Sequence, residues 1–226
     1  MPSKSSIQSM FNQLADRYDF MNNLLSLGTH WHWKNKLIKE VLKLRPIKVL
    51  DGATGTGDIA YLLKSLNKDL NTKVVGIDIS EEMLKVARLR VPEGEFFEDD
   101  LTDLSFSDNA FDVSTVSFGI RNVENIDKAL NELSRVSSKA VVILEFGSPQ
   151  NQLLSKIYFF FMKKYMAILG RVVSRGSSYD YLVNSSEKFV CANDFQQLCQ
   201  TIPNVKRVEY QTLYGGIVYL YTLHLT

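Results

Sequence analysis

The segment Leu50-Asp51-Gly52-Ala53-Thr54-Gly55-Thr56-Gly57-Asp58 is the most informative part of this 226-residue chain. It overlaps the end of the apolar run Ile47–Leu50 and precedes the helix-like segment Ile59–Leu66. A glycine-rich turn between a strand and a helix exposes backbone amides at the N-terminus of the helix, so a ligand can approach them closely. The stretch therefore predicts the first strand, turn and helix of an α/β domain, with a ligand site at the turn.

Asp51, at the end of the predicted strand, indicates which ligand the turn binds. In a dinucleotide-binding fold this turn faces a doubly negative pyrophosphate, which a carboxylate at this position would repel. S-adenosylmethionine has no phosphate and carries a sulfonium and an ammonium group, which a carboxylate attracts. The loop therefore favours a methyltransferase that uses S-adenosylmethionine.

Composition and charge narrow the class of protein further. The chain is 45% hydrophobic and 23% charged, as in an ordinary globular protein, and residues 1–226 fit a single domain. A net charge of +1 gives no electrostatic reason to expect a nucleic-acid partner. Cys191 and Cys199 are too few for a disulfide framework, and His30 and His32 lack nearby metal-ligand types, so we expect no metal and a cytoplasmic location. Met1–Ser9 shows no export signal.

Beyond the loop, predicted strands and helices alternate, which is typical of a parallel sheet with helices on both faces. The predicted strands are Ile47–Asp51, Lys73–Asp78, Glu95–Asp99, Phe111–Ser117 and Ala140–Phe146, followed by strands near 205–211 and 217–224. The predicted helices between and after them cover 58–66, 80–90, 124–136 and 193–200. The last two strands follow each other directly through Leu213–Gly216. We therefore expect a seven-stranded, mostly parallel sheet that ends in an antiparallel hairpin.

Two further segments are predicted to be helical. Residues 5–45 are predicted to be helical, with a break around Asn22–Gly28. The region 1–45 that contains them is expected to cap the substrate site. Leu153–Leu169 lies in an insertion over 150–190; it is strongly apolar, but it contains three lysines and is shorter than the ~20 residues of a spanning helix. It is either a helix packed on the sheet or a lid whose Phe159–Phe161 face an apolar substrate or the membrane surface.

Acidic residues follow successive predicted strands, at the edge where such sheets bind ligands. Asp78 follows the glycine loop at the spacing of about 20 residues expected of an acid that binds ribose hydroxyls. The alternative is a surface carboxylate that caps the helix beginning at Ser80. Asp100 suits the amino group of adenine, or is an ordinary turn residue. Since Asp78 serves an adenosine ribose in either fold, a small NAD-binding oxidoreductase stays open as an alternative.

Two further motifs stand out, and the first of them lies where the methyl donor and acceptor are expected to meet in such a sheet. Phe118-Gly119-Ile120-Arg121-Asn122 directly follows the fourth strand; the alternative is an ordinary loop with Arg121 solvated or paired with a carboxylate. Tyr18-Asp19-Phe20-Met21-Asn22 leads to His30 and Trp33. By its residues alone, this second motif is only an unusual polar and aromatic cluster.

At this point the motifs acquire a specific resemblance. Tyr18-Asp-x-Met-Asn-x-x-Leu-Ser26-x-x-x-His30-x-x-Trp33 resembles the signature of the quinone-biosynthesis C-methyltransferases, which methylate demethylmenaquinol and, in some organisms, the ubiquinone precursor. The resemblance covers nearly the whole chain. Further similar segments are the cofactor loop Asp51–Asp58, the ribose-binding segment Gly76–Ser80, the loop Ser117–Val123, the strand Leu144–Phe146, and the late motifs Tyr179–Leu182 and Gly215–Val218.

The resemblance implies the class I S-adenosylmethionine-dependent methyltransferase fold and C-methylation of a polyprenylated quinol. Demethylmenaquinol is the expected acceptor, and the benzoquinol precursor of ubiquinone is the alternative. The residues that it implies for cofactor binding are Thr56, Asp78, Asp100, Leu101 and Ser117. The glycine loop itself adds Asp51, Gly55 and Gly57.

The chain departs from the family pattern mainly in turns. The usual Lys-Pro-Gly-Gly before the fifth strand is replaced by the shorter Ser137-Ser138-Lys139, and Thr54 stands where Gly is common. Leu104-Ser105-Phe106 and Phe189-Val190 replace two proline-containing segments. We expect these changes to affect local geometry rather than the activity.

The chemistry assigns expected roles at the acceptor. A quinone ring is electrophilic, whereas a quinol that loses a hydroxyl proton pushes electron density onto the adjacent ring carbon. Arg121 is expected to stabilise this phenolate as a fixed cation, and it cannot be the base because guanidinium does not deprotonate. Tyr18 and His30 are candidates to orient the quinol or relay its proton.

The remaining expectations concern the ring and the tail of the substrate. Phe118, Tyr179 and Tyr181 are expected to stack on the ring and to favour the sulfonium charge. The isoprenoid tail is expected to rest on the helix at 153–169. The enzyme would then make a transient peripheral contact with the inner face of the membrane.

Overall fold

One seven-stranded sheet forms the centre of the structure, a computed structural model that describes residues 4–15, 18–26, 28–66, 72–173, 185 and 189–226. Its strands are β1 (Lys48–Gly52), β2 (Lys73–Asp78), β3 (Glu95–Glu98), β4 (Phe111–Ser117), β5 (Ser137–Phe146), β6 (Val205–Leu213) and β7 (Val218–Leu225). Their order is β3-β2-β1-β4-β5-β7-β6, and β7 is the one strand that runs antiparallel to the other six. The predicted sheet and terminal hairpin are confirmed, and the reversed β7 departs from the 3-2-1-4-5-6 order of dinucleotide-binding sheets.

Eight α-helices accompany the sheet within the described ranges. They are α1 (Lys4–Leu14), α2 (Tyr18–Ser26), α3 (His30–Lys43), α4 (Asp58–Leu66), α5 (Glu81–Arg90), α6 (Ile126–Val136), α7 (Gln152–Val173) and α8 (Ala192–Gln200). Side chains of α3, α4 and α5 form one buried cluster with the strands, and side chains of α6 and α8 form another. Neighbouring strand residues such as Val49 and Leu50 belong to different clusters, because successive side chains of a strand point to opposite faces. Both faces of the sheet are therefore covered.

Two predicted breaks differ from the structure. The break expected around Asn22–Gly28 is narrower, since α2 continues to Ser26 and the chain turns at Gly28, whose φ is +76°. The Ser26 hydroxyl donates to the Asn22 carbonyl 2.6 Å away, a bond that a helix accommodates. The expected turn at Ser137-Ser138-Lys139 is wrong: β5 already begins at Ser137, directly after α6, because the Ser137 hydroxyl lies 2.6 Å from that of Ser114 on β4.

Helix α7 divides the three phenylalanines of the apolar insertion. Phe159 is 5% exposed, whereas Phe160 and Phe161 are 54% and 63% exposed. The packed alternative therefore describes Phe159, and only Phe160 and Phe161 are exposed as the lid alternative requires. Among the helices described, none combines the length and the apolar character that crossing a membrane requires.

Candidate active site

A cavity of about 190 Å³ lies at the carboxyl ends of β1, β2, β3 and β4. Parallel strands bring their carboxyl ends to one edge of the sheet, so residues far apart in sequence meet there. Five of the predicted cofactor-binding residues line this main cavity: Gly55, Asp78, Asp100, Leu101 and Ser117.

Asp78 connects the two loops on either side of the main cavity. Its Oδ2 accepts a hydrogen bond from the Gly55 amide at 2.9 Å, and its Oδ1 accepts one from the Ser80 amide at 3.0 Å. Burial raises the pKa of Asp78 to about 6, against the lowering effect of these bonds. The cap of α5 is Ser80 itself, whose hydroxyl accepts from the Met83 amide at 3.2 Å. Asp78 is thus a wall residue of the cavity rather than the helix cap.

Ser117 supports an adenosine-type cofactor at this wall. Its hydroxyl is buried and has no hydrogen-bond partner among the described residues. A buried hydroxyl without a partner costs free energy, and a polar ligand group in the cavity would satisfy it. With the carboxylates of Asp78 and Asp100 nearby in the same wall, these donors and acceptors fit the hydroxyl and amino groups of S-adenosylmethionine.

The carboxylate of Asp100 is already engaged in this structure. The Lys4 ammonium lies 2.6 Å from its Oδ2, and the amide and hydroxyl of Thr102 donate to its Oδ1 at 2.8 and 2.9 Å. Partial burial would raise the pKa of Asp100, but these bonds outweigh that effect and lower it. Asp100 lies where the sequence predicts, and an adenine amino group would have to compete with Lys4 for it.

Helix α1 lies across the same end of the main cavity. The Gln8 side-chain amide donates to the Ile79 carbonyl at 2.5 Å, and the Ser80 hydroxyl donates to Asn12 Oδ1 at 2.6 Å. Ile7 is 4% exposed and, with Phe11, lines the cavity. The helix is therefore held by polar contacts to the loop after β2.

A recess of about 20 Å³ adjoins the main cavity behind the glycine loop. The two share four wall residues: Tyr18, Ala53, Gly55 and Ser117. Asp51 lines the recess and is 1% exposed. It accepts hydrogen bonds from the Thr54 hydroxyl at 2.5 Å and from the Thr115 hydroxyl at 3.0 Å, yet burial raises its pKa to about 7. A cation in the recess would stabilise its charged form.

Thr56 and Gly57 do not reach the main cavity. The Thr56 hydroxyl donates to Asp19 Oδ1 at 2.6 Å and accepts from Arg90 at 3.2 Å, and Thr56 lines only the recess. Gly57 lines neither space; its φ is +81°, and a Cβ there would lie 3.1 Å from the Cβ of Ala87 on α5. The glycine loop predicted Gly57 as a cofactor contact and the family resemblance implied Thr56; in the structure Gly57 packs against α5, and Thr56 joins an ion-pair network beside the recess.

This network joins four helices beside the recess. Lys34 of α3 and Arg90 of α5 both pair with Asp58 at the start of α4, and Arg90 also pairs with Asp19 of α2. Lys34 and Asp58 are buried and line the recess. The sequence reasoning missed Lys34, although a signal exists. The buried positions of α3 repeat with helical spacing, and Lys34 occupies one of them, where an apolar residue is expected. These positions are His30, Trp33, Lys34, Leu37, Ile38 and Val41.

Arg121 is paired with a carboxylate, which was the alternative interpretation of its motif. Its Nη1 donates to Glu145 Oε1 at 2.5 Å and to the Phe118 carbonyl at 2.8 Å, and its amide donates to Glu145 Oε2 at 3.2 Å. Glu145, at the end of β5, is completely buried. The neighbours Gly119 and Asn122 line the main cavity, whereas Arg121 does not. Its Nε is buried without a partner in the described part of the chain, so the guanidinium keeps an unused donor.

Tyr18 and His30 differ in their access to the site. Tyr18 lines both spaces; burial raises its pKa, while a hydrogen bond with Asn22 and the charge of Arg121 act in the opposite direction. The phenol of Tyr18 and the guanidinium of Arg121 are therefore within electrostatic reach. His30 lines neither space, and its Nδ1 lies 2.7 Å from the Ser26 hydroxyl. Burial, followed by the charge of Lys34, lowers the pKa of His30 to about 4, so its ring is neutral at physiological pH.

Aromatic side chains meet beside Arg121. Phe118, with a φ of +58°, lines the main cavity and packs on Phe146 at a centroid distance of 4.4 Å. Arg121 lies over the Phe146 ring at 5.2 Å. The other two predicted stacking residues, Tyr179 and Tyr181, lie outside the described residues. In the ranges that are described, no three His, Cys, Asp or Glu side chains are grouped so as to hold a metal ion.

Solved structures with the same architecture are methyltransferases. A SAM-dependent methyltransferase of Thermotoga maritima has a TM-score of 0.68 at 15% identity, covering 96% of this chain and 99% of its own. Magnesium protoporphyrin IX methyltransferase of Synechocystis PCC 6803, with bound S-adenosylhomocysteine, has a TM-score of 0.67 at 14% identity, covering 99% and 100%. At these identities the likeness establishes the fold alone, and it is the predicted class I methyltransferase fold.

Relatives of higher identity establish more. A ubiquinone/menaquinone biosynthesis C-methyltransferase of Bdellovibrio bacteriovorus is 38% identical over 228 residues, 97% of this chain and 96% of the relative. A demethylmenaquinone methyltransferase of Chlorobaculum parvum is 36% identical over 229 residues, 97% and 93% of the two chains. The sequence model of the ubiE/COQ5 methyltransferase family matches residues 2–224. These matches exclude the alternative of an NAD-binding oxidoreductase, and the chain belongs to the ubiE/COQ5 methyltransferase family of S-adenosylmethionine-dependent enzymes.

Proposed function

We propose that this protein transfers a methyl group from S-adenosylmethionine to a ring carbon of a polyprenylated quinol, with demethylmenaquinol as the acceptor. The observation that carries the proposal is the 36–38% identity, over almost the whole chain, to relatives named for this chemistry. The cavity supports the same assignment, because its wall of half-buried acids, with a Ser117 hydroxyl that has no hydrogen-bond partner among the described residues, continues into a recess that holds Asp51.

The two spaces suggest how the cofactor is held. Asp78 and the Ser117 hydroxyl suit the nucleoside part, with Leu101 as an apolar contact for the base. Asp51, in the recess, suits the positively charged methionine part. When bound, the cofactor supplies an electrophilic methyl group. The chain itself contributes alignment, since an in-line displacement requires the acceptor carbon, the methyl group and the sulfur to lie on one line.

Activation of the quinol is assigned to Arg121 and Tyr18. A fixed guanidinium stabilises a phenolate as it develops, and the charge of Arg121 already acts on the phenol of Tyr18. Glu145 positions Arg121 through its side chain and its amide, so the cation does not have to be oriented during the reaction. Arg121 would act through its unused donor, directly or through a water molecule.

The proton of the quinol hydroxyl needs a separate route, since guanidinium does not accept it. Tyr18 lines both spaces and is the first candidate to orient the quinol and relay the proton. His30 is the second candidate: its ring is neutral and able to accept a proton, but it lies outside both linings. The phenol is therefore better placed than the imidazole.

The apolar face of α7 is proposed to receive the isoprenoid tail and to contact the inner face of the membrane. The exposed large apolar residues on this helix are Leu153, Leu154, Ile157, Phe160 and Phe161. Lys164 lies over the Phe160 ring at 4.5 Å, so a cation accompanies the apolar surface, as expected at a lipid interface. Contact there would be peripheral and transient, and the tail would pass from the membrane to the cavity without crossing water.

A single-turnover assay with methyl-labelled S-adenosylmethionine tests the proposal. We expect label transfer to reduced demethylmenaquinol and none to the oxidised quinone, because only the quinol ring is nucleophilic. Complementation of two tester strains, each lacking one methylated quinone, separates the naphthoquinol from the benzoquinol precursor of ubiquinone. If label is transferred to neither quinol, the proposed reaction is wrong. If the gene restores growth only to the strain that lacks methylated ubiquinone, the acceptor is the benzoquinol precursor rather than demethylmenaquinol.

A further inference from the structure

We propose that Lys34 binds the carboxylate of the methionine part of the cofactor, an inference that rests on the proposed function. Lys34 lines the recess together with Asp51 and Gly55, and it is 6% exposed. An ammonium has three donor hydrogens; the Lys34 ammonium lies 5.8 Å from the centre of the Trp31 ring, and among the described residues its one hydrogen-bond partner is Asp58 Oδ2. Two donors therefore stay free for a ligand in the recess.

The charges around the recess are matched to a ligand that carries both signs. The side chains of Lys34 and Arg90 balance those of Asp58 and Asp19, which leaves Asp51 as an additional buried acid. Asp51 offers a counter-charge for an ammonium group, and the free donors of Lys34 offer one for a carboxylate. The end of a methionine carries both groups on one carbon atom, so it can offer each of these two side chains a group of opposite charge at the same time.

The dimensions and the backbone of the recess agree with this ligand. A volume of about 20 Å³ is close to that of one water molecule on the same measure, so it admits a small polar group rather than a ring. The first residues of α4, Asp58 and Ile59, lie in its wall. The start of a helix has unpaired amides and a partial positive charge, which add to the attraction of Lys34 for a carboxylate.

The test compares two ligands that differ only in this carboxylate. Isothermal titration calorimetry measures the affinity of the full chain for S-adenosylmethionine and for decarboxylated S-adenosylmethionine. We expect the wild type to bind the carboxylate-containing ligand at least tenfold more tightly. Lys34→Met should weaken binding of S-adenosylmethionine by roughly 10- to 100-fold, as expected for a buried charged hydrogen bond, and leave the decarboxylated ligand unaffected. Lys39→Met, at an exposed position of α3, is the matched control.

A second variant covers the case in which Lys34→Met fails to fold, since it leaves Asp58 with Arg90 alone. Lys34→Met combined with Asp58→Asn removes that ion pair as a unit and should lose the same discrimination between the two ligands. Equal affinity of the wild type for both ligands, or equal weakening of both by the variants, overturns the inference. A wild-type chain that binds neither ligand contradicts the proposed function instead, so the two failures are distinguishable.

Discussion

The side chains at the two ends of the main cavity are positioned by contacts of different sequence separation. At the β2–β3 end, Asp78 bonds to the Ser80 amide two residues later and Asp100 to the Thr102 amide two residues later. At the β4–β5 end, Arg121 depends on Glu145, which is 24 residues further along the chain and on another strand. The first end is determined by short strand–loop segments, whereas the second requires the whole sheet.

Their electrostatics differ as well. Among the described residues no cation pairs with Asp78, and burial raises its pKa, so a donor group of a ligand would stabilise the charged carboxylate. The charge of Arg121 is already compensated by Glu145. We therefore expect substitutions at the β2–β3 end to change cofactor affinity, and substitutions at the β4–β5 end to change turnover at saturating cofactor.

The largest expected effect is at Arg121. Arg121→Ala should lower kcat by about 10²- to 10³-fold, the usual cost of removing a group that stabilises developing negative charge. Affinity for S-adenosylhomocysteine, measured by calorimetry, should stay within about twofold. Arg121→Met combined with Glu145→Gln is the companion variant, because it leaves no unpaired charge buried and so separates lost catalysis from lost stability. Near-normal turnover in either variant contradicts the catalytic role.

Asp78→Asn should have the next largest effect, and it should change cofactor affinity rather than turnover. Loss of a charged acceptor should weaken binding of S-adenosylmethionine by roughly 10- to 100-fold, while kcat at saturation changes little. Asp103→Asn, at an exposed position on the same side of the sheet, is the control. Unchanged affinity on calorimetry would remove Asp78 from the cofactor site and, with it, the contrast between the two ends.

This contrast also explains how much the sequence predicted. The sheet, the hairpin and the positions of Asp78 and Ser117 follow from the alternation of strands and helices and from the polar residues at the ends of strands, whereas Leu101 was implied only by the family resemblance. The loop pattern alone cannot separate a glycine that packs on a helix, as Gly57 does on α5, from one that approaches a ligand. The sequence did not indicate Lys34 as a site residue, nor Glu145 as the partner of Arg121, because the partners lie 24 residues apart in each case, a distance that periodicity does not register.

Asp51 should make the stability of the fold depend on pH. Its pKa is raised from the ordinary value near 4 to about 7, because burial disfavours the charged form. The folded chain therefore binds the proton more tightly than the unfolded chain. The resulting stability is fully present below about pH 4 and is lost as the pH rises through about 7. The free energy of unfolding should fall over this range with a slope of at most about 1.4 kcal/mol per pH unit from this group.

Asp51→Asn should remove that contribution, as urea titrations at several pH values would measure. Asp112→Asn is the contrast. Partial burial would raise the pKa of Asp112, but hydrogen bonds from the Lys48 amide and from Lys139 outweigh it and lower the pKa. Asp112 therefore contributes stability that is lost only in more acidic solution, and its removal should leave the slope between pH 4 and 7 unchanged. The same slope in Asp51→Asn and the wild type would contradict the assignment.

Substitutions on the apolar face of α7 should have the smallest effect, and they test whether the acceptor end of the site includes a surface for the substrate tail. Phe160→Ser combined with Phe161→Ser should lower kcat/KM by about three- to tenfold with a long-tailed quinol and leave a short-tailed quinol unaffected. Stability should change by less than about 0.5 kcal/mol, because both side chains are already exposed. Phe159→Ser is the matched control: Phe159 is buried, so its loss should destabilise the fold by about 3 kcal/mol whatever the tail length. If the double variant changes kcat/KM equally for both quinols, α7 does not receive the tail. The acceptor site is then limited to the ring-binding wall around Phe118 and Phe146.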